Sequence, residues 1–114
     1  MKNTPLLTVI ATAALFTAAT GLTARAAETK ELWDKHCAAC HGKDGKGQTN
    51  MGRKAGVKDY TDPKVSETIK DDQAFKAVKE GLKEGNKELM KPFAEKLTDE
   101  EIKSLIAYLK AFKK

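Results

Sequence analysis

Apolar residues recur at helical spacing near the end of the chain, where they predict the best-defined helix. Thr98, followed three positions later by Glu101, fits a capping box, in which the two residues satisfy each other's free backbone N–H groups. Asp99 and Glu100 add negative charge where the helix dipole favours it. The apolar stripe that this helix would bury comprises Ile102, Leu105, Ile106, Leu109 and Phe112.

A short helix is predicted over residues 28–39. Leu32, Trp33 and Cys37 fall near one face of this segment, and the other positions are mostly polar or small. Gly42 follows and would end the helix.

Two further helices are predicted in the middle of the chain. Asp62 and Pro63 are the N-cap and first-turn residues expected of a helix over residues 63–70. The next helix would be capped by Asp71 or Asp72 and would end at Gly81 or Gly85. Its apolar inner face would comprise Phe75, Val78 and Leu82.

Two stretches are predicted to be irregular. Residues 42–56 carry five glycines and almost no apolar side chains, which indicates a loop. Residues 85–97 contain Met90, and Pro92 breaks any continuous helix there. No segment alternates between apolar and polar residues as a half-buried strand would, so the pattern predicts an all-α domain of four short helices.

The first 26 residues have the pattern of a secretory signal peptide. Lys2 precedes an apolar run over residues 6–22, and residues 24–26 (Ala-Arg-Ala) have the small-x-small pattern of a cleavage site. The alternative is an uncleaved membrane anchor, but threonines and a glycine dilute a run shorter than the ~20 apolar residues of a spanning helix. We therefore expect cleavage of residues 1–26, leaving residues 27–114 as one exported domain without a membrane span.

Net charge narrows the class of partner. The full chain has 21 basic and 16 acidic residues, and loss of Lys2 and Arg25 with the signal peptide would lower the net charge from +5 to about +3. The lysines are spread along the chain without interleaved aromatic residues, which argues against nucleic-acid binding. We expect a monomer that docks transiently on acidic protein partners, since such attraction speeds encounter and fades with salt.

One motif carries chemistry: residues 37–41 read Cys-Ala-Ala-Cys-His, a C-x-x-C-H sequence. Two thiols one turn apart can add to the two vinyl groups of a haem, and the adjacent imidazole can bind its iron. The motif therefore predicts one covalently attached haem c, bonded to Cys37 and Cys40, with His41 as an axial ligand of the iron.

Three other uses of these cysteines fit the sequence less well. A thioredoxin-like redox pair requires a βαβ pattern, which the sequence lacks. A tetrahedral zinc site needs four ligands, and His36 is the one candidate left to join Cys37, Cys40 and His41 on the same short segment. A disulfide within one helical turn closes a very small loop and stabilises little.

The predicted domain is short of core-forming side chains. Without the 26-residue signal peptide, 88 of the 114 residues remain, a size at which one hydrophobic core is marginal. A haem would supply the missing apolar volume, so we expect the chain without haem to be largely unfolded. The aromatic residues of the domain are Trp33, Tyr60, Phe75, Phe93, Tyr108 and Phe112.

The second axial ligand is predicted from the few suitable side chains that remain. His36 lies on the same short helix as His41 and cannot reach the opposite face of one haem, so we interpret it as a surface residue. Met51 follows His41 by only ten residues, within the glycine-rich loop. Met90 follows His41 by 49 residues, in a segment stiffened by Pro92. We therefore favour Met90 over Met51 as the ligand.

These features together resemble the small class I cytochromes c. The resemblance covers nearly all of the expected mature chain: the helix ending in the C-x-x-C-H motif, the lysine- and glycine-rich loop, the segment LMKPF over residues 89–93 and the final helix over residues 97–112. It implies the cytochrome c fold, with four short helices around one haem. The family often has proline directly after the ligand methionine, whereas Lys91 separates Met90 from Pro92 here.

The same resemblance implies which side chains surround the haem. In this family the first and last helices cross, which would place Trp33 against Leu105 and Tyr108. Side chains expected to line or back the haem are Phe75, Leu89, Phe93 and Leu97. Lysines expected near its exposed edge are Lys43, Lys46, Lys54, Lys87 and Lys91, and candidates for the propionates are Arg53 and Tyr60.

The expected function is one-electron transport rather than catalysis, because two axial side chains would saturate the iron and leave no site for substrate. The expected location is the periplasm, with the thylakoid lumen, or an anchored form facing the periplasm, as alternatives. Three other functions remain open. They are a haem protein with an open or labile sixth site for gas binding or peroxide chemistry, a dedicated subunit of a dehydrogenase or oxidase, and a haem-free thiol protein.

Overall fold

The computed structural model describes residues 19–114. Within that range it has six helical segments and one antiparallel two-stranded sheet. The helices are α1 (Ala19–His36), α2 (Ala38–His41), α3 (Asn50–Ala55), α4 (Pro63–Ser66), α5 (Asp71–Glu80) and α6 (Asp99–Lys110), and the strands are β1 (Leu82–Glu84) and β2 (Lys87–Met90).

The N-terminal helix is longer than the sequence pattern predicts. It begins at Ala19 rather than at residue 28 and ends at His36, where a turn at Cys37 separates it from α2. The predicted cleavage site after Ala26 falls within this helix, and residues 1–18 of the predicted signal peptide lie outside the described residues. Among the described helices, none combines the length and the apolar character needed to cross a membrane.

The capping box predicted for the last helix is confirmed. The Thr98 hydroxyl accepts a hydrogen bond from the Glu101 backbone N–H at 3.1 Å, and the Glu101 carboxylate accepts one from the Thr98 N–H at 2.9 Å. Three residues of the predicted apolar stripe, Ile102, Leu105 and Ile106, are buried. Local sequence therefore determines both the start and the buried face of α6.

The two middle helices are present with different ends. Asp62 caps α4 as predicted, accepting a hydrogen bond from the Lys64 N–H at 2.9 Å, but α4 ends at Ser66 rather than near residue 70. The predicted aspartate cap of α5 is wrong, because the N-cap position is Lys70 and makes no side-chain cap bond. Gly81 ends α5 as one of the two predicted stops, with a φ of +79° that other residues rarely adopt.

A short helix interrupts the segment that the glycine content predicts to be a loop. Thr49 caps the start of α3, and Gly56 ends it in the left-handed conformation, with a φ of +69°. A hydroxyl residue before the first turn and a glycine after the last are a common pair of helix boundaries. The all-loop prediction for residues 42–56 is therefore wrong over residues 50–55.

The segment around Met90 forms a β-hairpin, so the prediction that the chain has no strand is wrong. A two-residue turn that begins at Gly85, with a φ of +61°, joins the strands. Opposite charges face each other across them, with Lys83 opposite Glu88 and Glu84 opposite Lys87. Most residues of this hairpin are exposed, so it lacks the alternation of apolar and polar positions that reveals a half-buried strand.

The core lies where α1 packs against α6. Trp33 is 1% exposed, and its ring centroid lies 5.5 Å from that of Tyr108 and 5.2 Å from that of Phe112. The predicted packing of Trp33 against the last helix is therefore confirmed. The buried hydrophobic residues are Trp33, Cys37, Leu97, Ile102, Leu105 and Ile106.

Apolar surface outside this small core remains open. Met51 on α3 is 57% exposed and Leu82 on β1 is 47% exposed, although side chains of this kind are usually buried. No residue of α5 is fully buried, although Phe75 and Val78 pack against the edge of the core. The described residues therefore bury a small core and leave the side chains of Met51 and Leu82 in contact with solvent.

We expect Trp33→Phe to lower the free energy of unfolding by about 1–3 kcal/mol or more. The indole N–H donates to the buried Gly42 carbonyl at 3.0 Å, and the substitution leaves that carbonyl without this donor. The smaller ring also leaves unfilled volume in the core. Chemical denaturation of the mature protein measures the change. Tyr108→Phe is the matched control, since it keeps a ring of the same size against Trp33. Equal losses in the two variants would contradict this role of the indole.

Candidate functional site

The C-x-x-C-H motif spans the break between α1 and α2. The Cys37 carbonyl accepts hydrogen bonds from the Cys40 N–H at 3.2 Å and the His41 N–H at 2.9 Å, so the segment makes one tight turn. Cys37 is buried and Cys40 half-buried, and both are free cysteines. The structure therefore holds two unpaired thiols one turn apart, with His41 directly after the second.

Burial keeps the Cys37 side chain uncharged at neutral pH. Removal from water, which penalises the thiolate, raises the pKa of this thiol to about 12, and the neighbouring Cys40 adds to the rise. Cys37 therefore packs in the core as a small apolar side chain.

The imidazole of His41 is enclosed by aromatic rings. Its centroid lies 5.6 Å from that of Trp33 and 5.7 Å from that of Tyr60, and both contacts are tilted. Burial lowers the pKa of His41, so its ring is neutral at neutral pH, which is the form that binds metals. Its Nδ1 is buried and has no hydrogen-bond partner, an arrangement that costs roughly 1–3 kcal/mol.

Hydrogen bonds fix the backbone on both sides of His41. In the peptide group before it, the Cys40 carbonyl accepts from the Thr49 hydroxyl at 2.7 Å, and the His41 N–H donates to Cys37. In the peptide group after it, the His41 carbonyl accepts from the Gly47 N–H at 2.8 Å, and the Gly42 N–H donates to the Ala38 carbonyl at 2.8 Å. All four polar atoms of these two groups are therefore paired.

The approach of α3 to the motif requires a glycine. A side-chain carbon on Gly52 would overlap the Cys40 carbonyl oxygen and would lie 2.6 Å from that of Gly47. Such separations are too short for real atoms, and both obstacles are backbone. Gly52 and Thr49 were not predicted as site residues, although a hydroxyl cap three residues before a glycine was visible in the sequence.

Met90 ends strand β2 and is half-buried, opposite Leu82 in the sheet. The chain after it is held against α5, because the Phe93 N–H donates to the Val78 carbonyl at 3.0 Å. Gly81 also lies close to this segment, since a side-chain carbon there would come within 2.6 Å of the Met90 carbonyl oxygen. The hairpin thus has a fixed base at the end of α5.

The tip of the hairpin reaches α3. The Lys87 ammonium donates to the Lys54 carbonyl at 3.3 Å, across 33 positions of sequence. This contact brings the Met90 hairpin to the helix that also contacts the C-x-x-C-H motif. Met51, the alternative ligand, is more than half exposed on that helix.

Three other predicted residues are placed as follows. His36 is half-buried rather than on the surface, with its ring edge-on to Phe93 at 5.7 Å between centroids. Arg53 is exposed and donates to the Asn50 side chain at 3.4 Å. Tyr60 is half-buried beside His41, and burial raises the pKa of its hydroxyl. Contact of Arg53 and Tyr60 with haem propionates stays a prediction.

Comparison with known proteins identifies relatives that match most of the described residues. Residues 24–109 match the family model described as cytochrome c oxidase, cbb3-type, subunit III. Among solved structures, the chain is similar to the c-type cytochrome KustC0563, at 35% identity and a TM-score of 0.67, over 75% of this chain and 98% of that one. A mutant of Kustc0563 matches over the same shares at 34% identity and a TM-score of 0.65. None of the curated proteins compared matches.

The structural match confirms the predicted fold. The aligned cytochrome is covered almost completely, and its fold is the mainly helical one that the resemblance implied. The β-hairpin and the short helices α2 and α3 are additions to the four helices expected from the sequence pattern.

Tyr60, beside His41, lies in a turn that is closed by the Asp59 carboxylate, and we expect this turn to loosen in acid. Asp59 accepts hydrogen bonds from the Thr61 N–H at 2.9 Å and the Thr61 hydroxyl at 2.6 Å, and these bonds lower the pKa of Asp59 below its ordinary 3.8. A carboxyl group whose pKa is lowered by folding stabilises the protein at pH values above its ordinary pKa. This stabilisation is lost as the pH falls through the pKa that the group has in the folded protein.

The stability difference between wild type and Asp59→Asn should therefore be present at neutral pH and shrink as the pH falls below 3.8. Denaturation curves at a series of pH values measure this difference. A difference that grows as the pH falls would contradict the assignment.

Proposed function

This chain belongs to the c-type cytochrome family matched over residues 24–109, and we propose that it is an exported one-electron carrier with one covalently bound haem c. It is a small class I c-type cytochrome, and members of this class carry a haem and transfer electrons. The observation that carries the finer proposal is the pair of unpaired thiols, Cys37 and Cys40, one turn apart and next to the neutral imidazole of His41.

The residues at this site fit a haem. Cys37 and Cys40 would hold it through thioether bonds, and His41 would bind its iron. The unpaired Nδ1 of His41 supports this, because a buried imidazole is costly unless a ligand or hydrogen bond compensates.

We propose Met90 as the second axial ligand. It is half-buried at the end of a hairpin whose base is fixed on α5 and whose tip contacts α3. Such a fixed segment can hold a thioether in one direction. A thioether ligand raises the reduction potential relative to a second nitrogen ligand. Met51 is the weaker candidate because it lies on α3, which the Thr49 contact holds to the same turn as His41.

The residues around the site would keep its geometry the same in both oxidation states. Haem c, when bound, supplies an iron that accepts and releases one electron. Trp33 and Tyr60 contact the His41 ring, and the paired backbone on either side of this residue limits its movement. A site that moves little between oxidation states suits a carrier rather than a catalyst.

Docking is proposed to be electrostatic. The net charge of residues 27–114 is about +3, from 19 basic and 16 acidic residues, and a basic protein is attracted to acidic redox partners at low salt. We propose that five lysines near the site orient this encounter, and that they come from the two segments that approach each other there. The five are Lys43, Lys46, Lys54, Lys87 and Lys91, and all but Lys46 are exposed. The proposed location is the periplasm, after cleavage of residues 1–26, and the proposed state is a monomer.

A second candidate is a subunit of a larger redox enzyme, which the family description favours because it names subunit III of a cbb3-type cytochrome c oxidase. The two candidates differ in whether the chain is free. Size-exclusion chromatography of gently solubilised cells, followed by detection of this chain, decides between them. Elution at the size of the monomer supports the carrier, and elution with a large membrane complex supports the subunit.

We expect the Met90→Ala variant to lose the sulfur-to-iron absorption band of the ferric protein, because the band requires a thioether on the iron. Met51→Ala is the matched control and should retain it. The protein is matured in an export-competent host and its spectrum recorded oxidised and reduced. Covalent haem without the band in the wild type would instead favour an open or differently ligated site, and with it gas binding or peroxide chemistry.

A further inference from the structure

Three of the four hydrogen bonds that fix the peptide groups around His41 come from backbone atoms. These partners are Cys37, Ala38 and Gly47. The fourth comes from a side chain, the hydroxyl of Thr49, which donates to the Cys40 carbonyl at 2.7 Å. This bond connects positions nine residues apart and is partly buried, so water competes with it only in part.

We propose that Thr49 is a positioning residue for His41, which holds the Cys40–His41 peptide group and thereby sets the direction of the imidazole toward the iron. This inference rests on the proposed function, since it assumes that His41 is an iron ligand. The mechanism is geometric. The Cys40 carbonyl and the His41 N–H belong to one planar group, so fixing the oxygen restricts rotation about the N–Cα bond of His41 and thereby the direction in which the side chain leaves the backbone.

The same hydroxyl has a second role that the test must separate. It accepts a hydrogen bond from the Gly52 N–H at 2.8 Å and so caps α3. Because Gly52 has no side chain, α3 can approach the Cys40 carbonyl closely enough for Thr49 to make both bonds. Removing the hydroxyl therefore loses a cap and a positioning contact together.

Three substitutions at this position divide the two roles. Thr49→Val keeps the shape of the side chain and loses both bonds. Thr49→Ser keeps both bonds. Thr49→Asp keeps an acceptor for the cap, and an ionised carboxylate cannot donate to the Cys40 carbonyl. Thr98→Val is the matched control, because it removes a hydroxyl that caps α6 through Glu101 and makes no hydrogen bond to the C-x-x-C-H motif.

The readout is the proton NMR spectrum of the ferric holoprotein, in which the spread and order of the shifted haem methyl signals report the orientations of the two axial ligands, and the shifted ring signals of His41 report the imidazole itself. We expect Thr49→Val and Thr49→Asp to change this pattern and Thr49→Ser to retain it. Thr98→Val should lower stability without changing the pattern. A wild-type pattern in both Thr49→Val and Thr49→Asp would overturn the proposal and leave the proposed function standing.

Failure to mature is also informative. If Thr49→Val and Thr49→Asp take up no haem while Thr49→Ser and Thr98→Val do, the contact is needed already at attachment, which supports the proposal. If all three variants at Thr49 fail alike, the position tolerates no change for reasons other than the donated bond, which contradicts it. A wild-type protein without covalent haem would refute the proposed function and this inference with it.

Discussion

Trp33 joins the hydrophobic core to the C-x-x-C-H segment, and both of these parts of the described structure depend on contacts with this one side chain. Its ring packs on Tyr108 of the last helix and on Phe112 just after that helix, and its N–H donates to the Gly42 carbonyl directly after the motif. The His41 ring lies against the same indole. The crossing of α1 and α6 and the position of the candidate iron ligand are therefore determined together.

Features set by local sequence were predictable, and features set by contacts between distant segments were not. The capping box at Thr98, the helix stop at Gly81 and the spacing of the two thiols each depend on a few consecutive residues. The hairpin was missed because its exposed strands carry charges on both faces. The Thr49 contact with Cys40 was missed because nothing in a glycine-rich segment indicates which distant carbonyl a hydroxyl will reach.

The small core explains why a c-type cytochrome of this length would fold around its cofactor. Six hydrophobic residues are buried among those described, and α5 contributes none of them. Burying apolar surface stabilises by about 25 cal/mol per Å², so a haem packed against this core would add to the stability of the domain. A haem attached here would be both the redox centre and part of the core, which would couple attachment to folding.

The most direct test of the central claim is the intact mass of the protein matured in an export-competent host and measured under denaturing conditions, which remove any haem that is not covalently bound. We expect the mass of residues 27–114 plus one haem, with both thioether bonds mapped to the peptide that contains Cys37 and Cys40. A mass equal to that of the bare chain, with both cysteines free to react with an alkylating reagent, would contradict the claim.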